Sequence, residues 1–73
     1  MAQSFNNIIR FNKKIYPDKA VLSSMEAFKH LARFQVKQEG DYIIVTLSQI
    51  NPAVKNIVKE EFSNYVLAKI KTD

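Results

Sequence analysis

Apolar and polar residues alternate with two different periods along this chain, and the switches between them predict its elements. Phe5, Ile9 and Phe11 fall on odd positions, with Asn6, Arg10 and Asn12 between them. A period of two belongs to a half-buried strand, so a first strand is expected over residues 5–12. Tyr16 precedes Pro17, which steers the tyrosine away from helical geometry and marks a break. Beyond it the period lengthens. Val21, Met25, Phe28 and Ala32 recur at helical spacing, broadened by Ala20, Ala27 and Leu31, while Lys19, Ser23, Glu26, Lys29 and His30 populate the other side. A helix over residues 18–33 is predicted, started by Pro17 or Asp18, because proline is tolerated in a first turn and aspartate suits the positive end of the helix dipole.

Alternation returns at residues 34–38 and again at 41–47, on either side of Glu39-Gly40. A glycine between two alternating runs predicts a hairpin, since glycine adopts positive φ at little cost. With Glu39-Gly40 as a two-residue loop, the opposed pairs are Gln38–Asp41, Lys37–Tyr42, Val36–Ile43, Gln35–Ile44 and Phe34–Val45. Opposed residues share a face. Phe34, Val36, Ile43, Val45 and Leu47 then point toward a core, and Gln35, Lys37, Tyr42, Ile44 and Thr46 point away from it. A slip of one residue would mix the two sets.

Asn51-Pro52 is a helix start, asparagine as N-cap and proline at the first helical position. Val54, Val58, Phe62 and Tyr65, joined by Ile57 and Val66, carry helical spacing through about residue 70. The order is therefore β-α-β-β-α. A right-handed crossover lays the first helix over one face of the sheet. The strand at 42–47 is the most continuously apolar and belongs in the centre. The expected fold is α+β: a three-stranded antiparallel sheet in the order first, third, second, with both helices on one face.

Composition bounds what such a fold can be. The 73 residues fit one domain, 1–73, and a chain of this size buries only about 60% of the surface its unfolded form exposes. There is no cysteine, so no disulfide or thiolate metal site supplements the core. A hydrophobic content of 47% indicates a folded chain rather than a disordered one. Residues 1–7 are polar and lack the apolar stretch of a secretion signal, and no apolar run approaches the roughly 20 residues that span a bilayer. A cytoplasmic protein is expected. Net charge is +4, which raises nucleic acid as a partner. The charges are scattered, however, with Lys13-Lys14 the only basic pair, and they read as a solvated surface.

No residue cluster has the make-up of an active site, so no catalytic, cofactor-binding or metal-binding residue is assigned and no enzyme activity is expected. His30 is the only histidine; it lies beside Lys29, and Glu26, four residues earlier, is its available helical partner. It has no nucleophile or ligand set around it. Glu60 and Glu61 project about 100° apart on a helix and do not converge. One glycine cannot form a phosphate loop.

The surface offers more. Ile8, Tyr42 and Ile44 fall on the face away from the helices, with Gln35 and Lys37 beside them, and an exposed apolar cluster on an open sheet marks an interface. Individually such residues are ordinary on exposed strands, but so small a domain gains most from burying a second face. The partner-binding set is therefore Ile8, Gln35, Lys37, Tyr42 and Ile44. Tyr42 beside Lys37, with Arg10 on the neighbouring strand, also fits base stacking, but one aromatic is thin support for it. A structural homodimer is compatible with the same face.

Phe11-Asn12-Lys13-Lys14-Ile15-Tyr16, Ala20-Val21, Gly40-Asp41-Tyr42-Ile43-Ile44-Val45 and Asn64-Tyr65-Val66-Leu67 together resemble the D-type small protein of His-Xaa-Ser systems, over residues 5–70. That family closes with a pattern of the form Leu-Leu-Asn-Asp-Tyr-x-Leu-Arg-Glu. Tyr65 and Leu67 match it, Phe62, Ser63 and Asn64 are similar in kind, and Glu61, Ala68 and Lys69 depart. The resemblance implies a bacterial, non-catalytic accessory protein without a cofactor. It would work beside a radical S-adenosylmethionine enzyme, or its His-Xaa-Ser peptide substrate, as partner. The chain lacks the cysteines an iron–sulfur cluster needs and so cannot itself be that enzyme. An extended peptide could add to the open sheet edge at residues 34–38.

Overall fold

In the computed structural model of the protein, the described residues are 3–5 and 7–72, with side chains for residues 7–71. In chain order the elements are β1 (Gln3–Phe5), β2 (Ile8–Asn12), α1 (Asp18–Phe28), β3 (Arg33–Glu39), β4 (Tyr42–Ser48), a 3-10 turn (Pro52–Val54) and α2 (Val58–Thr72). All neighbouring strands are antiparallel, in the order β1-β2-β4-β3. The three principal strands thus stand in the expected order first, third, second, with the apolar β4 at the centre. The sheet is wider than expected by one short strand. The alternation at 5–12 is not one strand: the chain turns near Asn7 and Gln3–Phe5 folds back on β2. Phe5 lies in β1, opposite Ile8 in register.

The odd positions of β2 and β4 face the helices. Ile9, Phe11, Ile43, Val45 and Leu47 are buried, together with Val21 and Ala20 of α1 and Val58, Phe62 and Val66 of α2. The α2 stripe keeps steps of four residues from Val58 to Val66 and on to Ile70, which also packs on the core. Phe62 is its hub. Its ring centroid lies 4.9 Å from that of Phe34, 5.5 Å from Phe28 and 6.1 Å from Phe11, so one side chain joins β2, β3, α1 and α2. Tyr65, expected on the buried stripe, sits at its margin with Phe28 (5.3 Å), and Ile57 is exposed.

The hairpin sorts its faces as expected but in a different register. Glu39 pairs with Tyr42 and Val36 with Val45, two residues away from the predicted alignment. The loop is Gly40-Asp41, not Glu39-Gly40. Positive φ falls on Gly40 alone (+58°), the first loop residue, which is where a type II′ turn takes glycine. A shift of two preserves the faces, so the pattern of polarity could not detect it.

Both helices are shorter than their periodicity. α1 starts at Asp18, with Pro17 in extended geometry before it, and ends at Phe28 rather than 33. No glycine or proline stops it. Instead Arg33 and Phe34 are taken into pairs with Ser48 and Leu47, and the Leu31 carbonyl accepts from Asn51 N (2.8 Å). Asn51 caps as expected, its Oδ1 accepting from Ala53 N at 2.9 Å, but what it caps is the 3-10 turn; α2 begins only at Val58. Val36, expected in the core, is 42% exposed, because β3 is the edge strand and an open cleft separates Val36 from α1.

Candidate functional site

The helix-free face of the sheet is built from the even positions of β2 and β4 and the odd positions of β3, as strand alternation requires. Cross-strand registry sets them in rows. Ile8, Thr46 and Gln35 form one row, Arg10, Ile44 and Lys37 the next, Asn12, Tyr42 and Glu39 the third. All five residues singled out in the sequence, Ile8, Gln35, Lys37, Tyr42 and Ile44, therefore stand on one face. Ile8 is exposed; Tyr42, Ile44 and Thr46 are half-buried by their neighbours in the sheet; Gln35 and Lys37 are exposed.

Among the described residues this face carries three cations, Arg10, Arg33 and Lys37, and one carboxylate, Glu39. The Arg10 guanidinium carbon lies 4.3 Å from the centroid of the Tyr42 ring, a cation–π contact one row apart. Lys37 Nζ lies 3.1 Å from Glu39 Oε2 two residues along the same strand. The result is an apolar centre of Ile8, Ile44 and the Tyr42 ring, bordered by a matched pair of charges on one side and a stacked arginine on the other.

The remaining polar candidates stay apart. His30 is exposed, and Glu26 pairs with Lys29 (2.6 Å) rather than with it. Glu60 and Glu61 are both exposed in the first turn of α2, Glu39 closes the hairpin and Asp41 lies in its loop. Among the described residues no group of three or more histidine, cysteine, aspartate or glutamate side chains could hold a metal ion. Nor is any helix among them long and apolar enough to cross a membrane.

The sequence reading missed one surface. Where α1 overhangs β3, a cleft of about 280 Å³ is lined by Asp18, Leu22, Val36, Gln38 and Ile43. It shares Leu22 with a wider open groove of about 980 Å³ that runs past Met25 and Phe34 toward Ile50. Leu22 is 50% exposed there. Its only signal in the sequence is that Leu22 departs from the Val21–Met25 stripe, an apolar residue on the wrong side of a helix. Gln38 closes the cleft at one end, accepting from Lys13 Nζ (2.7 Å) and donating to Asp18 Oδ2 (3.1 Å).

Comparison with protein families, with curated proteins and with solved structures returns no match to this chain.

Proposed function

We propose that this chain is a non-catalytic accessory module that binds a peptide or protein through the helix-free face of its sheet. The observation that carries the reading is the adjacency of Ile8, Ile44 and Tyr42 in registered rows that neither helix covers. Apolar side chains grouped in this way lose contact with water when a partner docks, and the polar border of Gln35, Lys37 and Glu39 sets its orientation. The resemblance to the D-type small proteins of His-Xaa-Ser systems narrows the partner to a radical S-adenosylmethionine enzyme or its peptide substrate, in a bacterial cytoplasm.

Nucleic acid fits this face less well. Base stacking needs a free aromatic face and unpaired cations, whereas Arg10 already lies over Tyr42 and Lys37 is paired with Glu39. Titrating isotope-labelled protein with the enzyme, and separately with the His-Xaa-Ser peptide, tests the proposal through backbone amide shifts. Shifts centred on Ile8, Tyr42 and Ile44, abolished by Ile44→Lys, are expected. Shifts confined to the helices, or none with either partner, would overturn it. A salt-dependent response to oligonucleotides instead would assign the face to nucleic acid.

A further inference from the structure

We infer that β3 is the pairing edge of a symmetric homodimer, in which two copies join their sheets antiparallel about Val36. The inference concerns the sheet edge and stands apart from what the open face binds.

The first ground is the direction of the backbone groups. Lys13 N donates to the Asp41 carbonyl (2.9 Å) and Leu47 N to the Asn7 carbonyl (2.8 Å), so the odd positions of β4 aim at β2. Its even positions, Tyr42 to Ser48, then aim at β3 and are answered by Glu39, Lys37, Gln35 and Arg33. That leaves the N–H and C=O groups of Phe34, Val36 and Gln38 pointing outward from the sheet. A second β3 running antiparallel, with Val36 opposite Val36, sets Phe34 opposite Gln38 of the second copy. Every outward-pointing residue then meets an outward-pointing residue.

The second ground is charge. The same register sets Arg33 opposite Glu39 of the second copy, and by symmetry Glu39 opposite Arg33, both on the helix-free face. Gln35 meets Lys37. No like charges oppose one another, and a strand that reads Arg-Phe-Gln-Val-Lys-Gln-Glu is complementary to itself in this alignment. On the other face, Val36 and Leu22, 42% and 50% exposed and lining one cleft, would meet their own copies across the axis.

The third ground is the contrast between the two edges. Sheets guard free edges by shortness, proline, bulges or charged side chains, lysine above all. The β1 edge is three residues long. β3 is seven residues long with no proline, and its charges, Arg33, Lys37 and Glu39, are of both signs, so a second copy can match them. Among the described residues β3 is the longer free edge.

Sedimentation equilibrium of the full chain across a wide concentration range tests this. The expected mass is twice the 8.4 kDa of one chain. Val36→Pro removes an outward N–H at a position where an edge strand tolerates proline, and should give a folded monomer by circular dichroism. Arg33→Glu opposes two carboxylates at each end of the pairing and should weaken the dimer at least about tenfold, while Arg33→Glu with Glu39→Arg restores it. The swap is the safeguard against misfolding, since a merely damaged chain would not be rescued by a second change. A mass of 8.4 kDa at millimolar concentration overturns the inference. So does a dimer indifferent to both Val36→Pro and Arg33→Glu, or a monomer whose β3 amides respond only to an added peptide.

Discussion

Gln49 is the one described residue other than glycine with positive φ, at 49°. It follows β4 and turns the chain toward Asn51, whose N–H reaches the Leu31 carbonyl. Left-handed geometry costs an L-residue about 1–2 kcal/mol, because Cβ crowds the following carbonyl. Gln49 is exposed, so glycine there loses little contact. Gln49→Gly should therefore stabilise the protein by about 0.5–1 kcal/mol, read as a higher urea midpoint at unchanged slope. Ser24 presents the opposite case. It is fully buried, and its hydroxyl donates to the Ala20 carbonyl at 2.7 Å, an oxygen that also lies within the helix ladder. Removing the hydroxyl strands no partner, so Ser24→Ala should change stability by less than about 0.5 kcal/mol in the same experiment. A loss above about 1 kcal/mol would show that this hydroxyl satisfies something more than its own turn.

At the scale of elements, β2, β3, α1 and α2 meet at the ring of Phe62. Truncating it leaves Phe11, Phe28 and Phe34 around a void, at a cost of about 3–5 kcal/mol, comparable with the whole stability of a domain this small. Phe62→Ala should lose the cooperative thermal transition, whereas Phe62→Leu, which keeps most of the volume, should unfold cooperatively at a lower midpoint. Phe62 was legible in the sequence because burial imposes a period, and Val58, Phe62 and Val66 keep it. What periodicity cannot encode is competition between neighbours. Phe28 to Ala32 continue the α1 pattern, yet pairing of Arg33 and Phe34 with β4 ends the helix first. The hairpin register escaped for a related reason: a two-residue shift leaves each side chain on its own face, and only the turn type, with glycine first, distinguishes the alternatives. β1 was hidden because nothing in the alternation over 5–12 marks a reversal near Asn7, and that reversal sets Phe5 opposite Ile8 rather than in line with Ile9 and Phe11. The open face, by contrast, was readable because it depends on parity alone, which neither error disturbed.

Among the described residues, two helices lie over one side of a four-stranded sheet and the other side carries no helix. Two of the molecule's apolar surface groups bear on association. Ile8 joins Ile44 and Tyr42 on the open face, while Val36 and Leu22 gather at the β3 edge. If two copies pair through β3, dissociation is linked to unfolding, and stability must depend on concentration. For a dimer that dissociates as it unfolds, a tenfold rise in concentration adds about 0.7 kcal/mol per chain, or about 3–5 °C in Tm for a domain of this size. The wild-type midpoint should climb by that amount per decade of concentration, and the Val36→Pro midpoint should stay flat. The slope separates a shared edge from a merely stable monomer, because strain or repacking caused by the proline would lower Tm equally at every concentration. A flat wild-type midpoint across two decades would mean that β3 closes the sheet alone, leaving the face of Ile8, Tyr42 and Ile44 as the surface through which this chain meets a partner.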